Sequence, residues 1–354
     1  MRIQKLTESI EKEGFDAYIV AREPNIVYYT GSISGGVLVV TPKSEPVLLA
    51  PSLNITVAKD QATGLDVRPY TRSSLIGDVS EILNERSCGS IGFDEVSLDI
   101  YRRLGDSLGE VKIEAVPDLV WEMRKVKDPE ELKLMKRAGE LADIGMGAIR
   151  EFIGDGVREN EVAAEASYAM RREGAEDIAF PFIVVSGPRS AYPHGGVTDR
   201  KIRSGELVTV DMGATYKEYK TDITRTFIIG QPTERQAEIY EAVLDANRVA
   251  LPRFVDGAAG VEVDRAARDV IDEAGYGEYF IHSLGHGLGL EVHEPPSISK
   301  RSEDTLRTGN VVSNEPGIYI PGFGGVRIED TVLVDGQSPK RFTDFPRELD
   351  AMCV

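Results

Sequence analysis

The sequence predicts an α+β fold in two domains, and three observations lead there. The chain has 354 residues, more than one hydrophobic core usually organises, since single cores stop growing at roughly 250 to 300 residues. Helix-period and strand-length apolar segments fall in separated blocks, which favours α+β over a doubly wound parallel sheet. The charged run Arg124-Lys125-Val126-Lys127, followed by Asp128-Pro129-Glu130-Glu131, interrupts the chain between a shorter and a longer part. The expected domains are 1–122 and 123–354.

In the first domain an amphipathic helix near the start precedes an apolar strand over residues 17–20. After the break Glu23-Pro24-Asn25, residues 26–29 read as another strand-length run, as do 37–40 and 47–50. Helical spacing returns over 75–83, before a strand at 91–93. No glycine-rich phosphate loop follows these strands, which removes a dinucleotide-binding reading.

The second domain opens on a helix start: Asp128 as acidic N-cap, Pro129 at the first helical position and Glu131 completing a capping box. Leu134, Ala138, Leu141, Gly145 and Ile149 then share one face, so this helix should pack on a sheet. Further helices are expected over 160–172, 234–246 and 263–274. Strands are expected over 182–185, 207–212, 224–229, 311–313, 317–320 and 326–334, mostly antiparallel.

Composition narrows the function. Hydrophobic residues make up 41% and charged ones 28%, an ordinary globular balance. With 41 Lys and Arg against 59 Asp and Glu the formal charge is -18, which disfavours a nucleic-acid partner. No apolar run approaches the roughly 20 residues of a membrane span, and the start lacks a signal-peptide layout. The two cysteines, Cys88 and Cys353, form no CxxC pair, so neither a disulfide framework nor a thiolate zinc site is expected and the location reads as cytoplasmic.

All four histidines lie between 194 and 293, and the anomalous acids lie in the same half. Asp211 ends the apolar strand Leu207-Val208-Thr209-Val210. Asp222, Thr224 and Thr226 share a face of the next strand, and the intervening 213–220 is long enough for a hairpin that lets the two aspartates face each other. Glu315 follows another apolar strand at a Pro-Gly turn, and Glu329 shares a strand face with Arg327 and Thr331. Buried acids are costly unless paired or metal-bound; singly, each reads more simply as a solvated or salt-bridged side chain. The glycines of Gly285-His286-Gly287-Leu288-Gly289 leave His286 uncrowded, and its odd spacing from His293 requires a bulge or bend at 287–289. Four carboxylates and an imidazole suit Mn, Co, Fe or a carboxylate-bridged zinc pair. Two such cations would offset the repulsion and make water nucleophilic at neutral pH, so the pattern points to metal-assisted hydrolysis.

Five segments in series, 210–214, 221–226, 285–289, 314–317 and 327–330, resemble the metal-ligand motifs of the pita-bread metallopeptidases. Residues 16–20 and 25–31 are similar to the extra N-terminal domain of the proline-directed branch, the Xaa-Pro dipeptidases (prolidases) and Xaa-Pro aminopeptidases. The resemblance implies a small creatinase/prolidase-type α/β domain followed by a pita-bread catalytic domain. It implies two divalent metal ions, Mn or Co before Zn or Fe, held by Asp211, Asp222, His286, Glu315 and Glu329, with Asp222 and Glu329 bridging. Glu315 is then also the proton shuttle, His194 and His293 contact the scissile carbonyl and the leaving proline, and His282 is a further pocket histidine. Arg327 orients neighbouring carboxylates, and Phe180, Phe182 and Tyr319 are candidate pocket walls. The implied substrates are proline-containing dipeptides or short peptides, and the implied assembly is a homodimer. The resemblance also implies an arginine for the dipeptide's free carboxylate shortly after His293-Glu294. Pro295-Pro296-Ser297 stands there, which favours longer Xaa-Pro-Yaa substrates unless Arg189 or Arg301 substitutes. Readings from other classes are a related-fold metal-dependent hydrolase or lyase acting on a non-peptide metabolite, and a metal-free binding module.

Overall fold

The computed structural model describes residues 2–354; Met1, the first residue of the expected N-terminal domain, lies outside the described residues. The chain splits into two compact units, Met1–Arg124 and Lys125–Val354.

The first unit is built on a six-stranded mixed sheet. Its strands are β1 (Ala17–Val20), β2 (Val37–Thr41), β3 (Ser44–Pro51), β4 (Asp66–Tyr70), β5 (Ser90–Phe93) and β6 (Lys112–Ala115), in the order β4-β3-β2-β1-β5-β6. Helices α1 (Arg2–Glu13), α2 (Glu23–Thr30), α3 (Ile55–Gln61), α4 (Leu75–Glu85), α5 (Leu98–Leu108) and α6 (Asp118–Lys125) precede, connect or follow them. One apolar cluster, including Ile19, Val39, Leu49, Ile82, Ile91 and Leu104, fills the core.

Residues 26–29, expected as a strand, lie instead inside α2. Four consecutive apolar residues carry no period that separates strand from helix, and the ends decide. Asp94 accepts the backbone N–H groups of Ala21 (2.9 Å) and Arg22 (3.2 Å) and the amide of Asn25 (2.7 Å). Pro24 occupies the first turn, and Gly31 stops the helix at φ 71°, a backbone angle that favours glycine.

In the second unit α7 (Pro129–Phe152) begins with the expected capping box, Asp128 accepting from Glu130 and Glu131 N–H while Glu131 accepts from Asp128. Its buried face includes Ala138, Leu141, Gly145 and Ile149. A Cβ on Gly145 would meet Met212 at 2.7 Å and Met170 at 2.8 Å, so a side chain there would have to displace these methionines. α8 (Glu159–Arg172), α9 (Glu234–Ala250) and α10 (Gly260–Glu273) are the other long helices, and α11 (Leu349–Met352) is a final turn.

The strands of this unit are β7 (Asp177–Ile178), β8 (Ile183–Ser186), β9 (Leu207–Met212), β10 (Ala214–Tyr216), β11 (Tyr219–Lys220), β12 (Ile223–Ile228), β13 (Gly285–Gly287), β14 (Glu294–Ile298), β15 (Val311–Asn314), β16 (Gly317–Ile320), β17 (Gly324–Arg327), β18 (Asp330–Leu333) and β19 (Lys340–Arg341). They form the antiparallel groups β12-β9-β8, β11-β10-β7, β14-β13-β15-β18-β19 and β16-β17. Both central strands β9 and β12 are buried along their whole length, and a single apolar cluster joins α7–α10 to them.

The continuous strand expected over 326–334 is two strands in different sheets. β17 pairs with β16 and β18 with β15. At the switch the Ile328 N–H turns to the Pro316 carbonyl (3.4 Å) and the Glu329 N–H to the Thr224 carbonyl (3.1 Å). Hydropathy runs through such a switch unchanged because both strands are buried on both faces.

Candidate metal centre

The β9–β12 register sets Asp211 opposite Thr224, with Asp222 two residues earlier, immediately before β12 begins. The two aspartates are therefore diagonal neighbours on one face rather than directly opposed. His286 enters from β13, where a register shift falls between His286 and Gly287 and the strand ends. This turn brings the His286 and His293 rings to 4.3 Å between centroids, although an unbroken strand would separate them. Glu315 leaves the end of β15, and Glu329 sits at the β17–β18 switch.

These residues converge on one cavity of about 350 Å³, lined among others by Phe180, His194, Asp211, Asp222, His282, His286, His293, Glu315, Arg327 and Glu329. His286 Nδ1 lies 3.1 Å from the Gly287 carbonyl and donates to it, and Nε2 faces the acids. Nε2 is 3.2 Å from Glu315 Oε1 and 3.9 Å from Asp222 Oδ2. Ser313 ties the two strands by accepting the His286 N–H (3.0 Å) and donating to Glu315 (3.0 Å).

Arg327 is the cation of the cluster. It bonds Asp211 directly, donates to Tyr319 Oη (2.7 Å) and to Thr224 Oγ1 (3.0 Å), and Thr224 passes its own proton to Glu329 (2.6 Å). Arg327 thus orients Asp211 directly and Glu329 through Thr224. Tyr319 is not a pocket wall: it lies 3% exposed behind the cavity and lies 2.9 Å from His282 Nε2, and burial pushes its hydroxyl up to about 12. Phe182 belongs to the core. Of the three proposed aromatic walls only Phe180 lines the cavity.

Electrostatically the acids are in conflict. Burial and the charges of neighbouring carboxylates push Asp222 and Glu329 well above the usual carboxylate range. Burial pushes Glu315 the same way, but its hydrogen bond to His286 and the positive charges around it, that of Arg327 among them, together outweigh this and hold it at about 2. His282 and His293 are both lowered, chiefly by burial, and so are neutral hydrogen-bonding groups at pH 7. Asp211 Oδ1, Asp222 Oδ1 and Glu329 Oε1 are buried without any hydrogen-bond partner, a costly state for a polar atom. Ligand atoms from Asp222, His286 and Glu329 lie within 4.8 Å of one another. Three orphaned carboxylate oxygens facing one imidazole fit divalent cations, which would satisfy those oxygens and relieve the repulsion.

The residues that hold this geometry are less visible in sequence. Asn247 of α9 donates to the carbonyls of Asn314 (3.0 Å) and Ile328 (3.2 Å), fixing the backbone just before Glu315 and Glu329, and Asn314 donates back to the Asn247 carbonyl (2.9 Å). Thr331 accepts the Asp222 N–H (3.1 Å) and donates to its carbonyl (2.8 Å).

Residues 133–336 match the model of metallopeptidase family M24, and residues 2–126 match the creatinase/prolidase N-terminal domain. The chain is 40% identical over 350 residues to an Xaa-Pro dipeptidase of Pyrococcus furiosus, covering 98% of this chain and 99% of that protein. It superposes on the prolidase of Pyrococcus horikoshii OT3 with TM-score 0.93 at 40% identity, covering 98% and 99% of the two chains. The X-Pro aminopeptidase of Thermotoga maritima MSB8 superposes with TM-score 0.92 at 36% identity over the same shares. The second unit has the pita-bread fold expected of it, and the family's dependence on divalent metal ions agrees with the orphaned carboxylates. The chain belongs to metallopeptidase family M24, with a creatinase/prolidase-type domain at its N-terminus.

Proposed function

We propose that the protein is a metallo-exopeptidase that hydrolyses the bond between an N-terminal residue and proline in dipeptides or short peptides. The observation that carries this is the convergence of Asp211, Asp222, His286, Glu315 and Glu329 on one cavity with three of their oxygens orphaned. In this reading residues 1–122 form the N-terminal domain and 123–354 carry the chemistry. The five residues would hold two divalent cations, Mn or Co before Zn or Fe. The cations supply Lewis acidity toward water and the scissile carbonyl.

The protein's own groups do the rest. Glu315 is ionised at neutral pH and takes the proton from the attacking water on a carboxylate oxygen, then delivers it to the proline nitrogen. His194 and His293 hydrogen-bond the carbonyl oxygen and the leaving-group side of the substrate, His293 as a neutral donor. An Xaa-Pro bond has no N–H, so specificity rests on a pocket that accepts the ring, which Phe180 borders together with His282.

Arg189 does not serve as a carboxylate anchor, because it is bonded to Glu159 and to the Gly195 carbonyl (2.8 Å). Ser297, opposite His286 on β14, donates its N–H to Asp304 (2.9 Å) and its hydroxyl to Ser299 (3.3 Å). An Xaa-Pro-Yaa tripeptide is therefore expected to be cleaved with kcat/KM at least equal to that for the Xaa-Pro dipeptide, measured with metal loaded. A strong dipeptide preference would refute this reading of Ser297, and cleavage of neither peptide would refute the proposed function.

Both cysteines are free thiols, and no helix among the described residues is long and apolar enough to cross a membrane. A cytoplasmic location belongs to the proposal on that basis. A homodimer belongs to it on the family resemblance.

A further inference from the structure

We propose that Glu159, outside the catalytic cavity, is a positioning residue whose carboxylate closes the loop carrying His194. His194 lies in the irregular segment between β8 and β9. That segment has only one short turn of regular structure, Gly187–Ala191, so its course depends on side-chain bonds. Glu159 is the first residue of α8 and its side chain is fully buried. Its Oε1 accepts the Ser186 N–H (2.9 Å) and Ser186 hydroxyl (2.8 Å), where the loop begins. Its Oε2 accepts the Thr198 N–H (3.2 Å) and Thr198 hydroxyl (2.5 Å), where the loop returns. Its fifth donor is Arg189, within the loop, which carries the contact on to the Gly195 carbonyl (2.8 Å), next to His194.

A fully buried carboxylate accepting five hydrogen bonds is worth far more than a surface ion pair, since the charge itself is withdrawn from water and has no other partners to turn to. The arrangement also has a direction. Both ends of the loop and its middle are tied to one group, whereas the far side is held by Arg327, whose Nη1 lies 3.4 Å from the Pro193 carbonyl, and by Ser190, which accepts the Gly325 N–H (2.8 Å). His194 is thus suspended between Glu159 and the strand that carries Arg327. Losing the carboxylate's charge loosens one side only, and a displacement of about 1 Å at a catalytic group costs on the order of a hundredfold.

The inference rests on the proposed role of His194, and a double-mutant cycle separates the two. In the metal-loaded enzyme His194→Ala is expected to lower kcat/KM about a hundredfold. Glu159→Gln should lower it about tenfold, with bound metal unchanged when counted directly. In the double variant the Glu159→Gln effect should disappear, leaving kcat/KM within about twofold of His194→Ala alone. Independent, multiplicative losses would overturn the inference and leave Glu159 a stabilising residue. An unchanged kcat/KM in His194→Ala would overturn the reading of His194 itself. Limited trypsin digestion reports on the loop without reference to catalysis: Glu159→Gln should speed cleavage at Arg189 and Arg200, and unchanged cleavage would overturn the clamp. If Glu159→Gln does not fold, Thr198→Val removes one donor from the same carboxylate and should show the same pattern at smaller size.

Discussion

Replacing Asp222 with alanine is expected to lower Xaa-Pro turnover by about a thousandfold or more and to reduce the bound metal below two ions per chain. Asp222 contributes an orphaned oxygen and lies beside His286 and Glu329. The isosteric Asp222→Asn separates metal binding from stability. Burial and then the charges of Glu329, Asp211 and Glu315 raise the Asp222 pKa well above its ordinary value. For an acid whose folded pKa is raised, the favourable contribution is complete below the unfolded value and is lost as pH rises through the folded one. Above the unfolded carboxyl pKa and without metal, the acid therefore opposes folding, and the amide, which does not ionise, does not. Asp222→Asn should melt above the wild type after chelation and below it with Mn²⁺ present, because the wild type alone gains the full binding energy of both ions. Unimpaired turnover with two bound metals in Asp222→Ala would refute the ligand assignment.

Asp330→Ala is expected to destabilise the fold by about 3–5 kcal/mol, the usual cost of leaving a buried charge unpaired. Arg225 is completely buried and bonds Asp330 at 2.8 Å, while Arg341 and Arg347 approach the same carboxylate at 3.5 and 3.3 Å. Arg225 also donates to the carbonyls of Thr224 (2.9 Å), Glu329 (2.5 Å), Phe345 (2.6 Å) and Pro346 (2.7 Å). Removing Asp330 leaves three cations around a void directly behind the Glu329 backbone. Burial would raise the Asp330 pKa, but the three arginines outweigh it and lower it. The pair therefore stabilises above the unfolded carboxyl pKa, and its contribution is lost as pH falls through the lowered folded value. Chemical denaturation at pH 7 measures the loss; a change below about 1 kcal/mol would show that the arginines are neutralised otherwise.

What could be read from the sequence follows from what each residue does locally. Asp211, Asp222, Glu315 and His286 stood out because a polar group at the end of an apolar strand, or between glycines, breaks a local rule. Glu329 stood out for the same reason, but its strand was drawn too long, because the sheet switch at 328–329 changes hydrogen-bond partners without changing hydropathy. Residues 26–29 read as a strand because the deciding contact, Asp94 holding the entry to α2 through the Ala21 and Arg22 N–H groups, comes from about 70 residues away. Asn247 and Glu159 break no local rule. An asparagine within an amphipathic helix and a glutamate in a helix's first turn both read as solvent-facing. Their partners are 67 and 81 residues distant for Asn247 and 27 to 39 for Glu159. Tyr319 reads as a wall because an aromatic on a strand shows its ring in the sequence, whereas here its hydroxyl, bridging Arg327 and His282, is the working part.

The claim that two cations held by these five residues make the site a peptidase is tested most directly by titrating Mn²⁺ into chelated protein. Turnover of an Xaa-Pro peptide and bound metal would be followed together. Activity should be absent at the start and rise to a plateau at two equivalents per chain. Activity in fully chelated protein, or a plateau at a single equivalent, would contradict it.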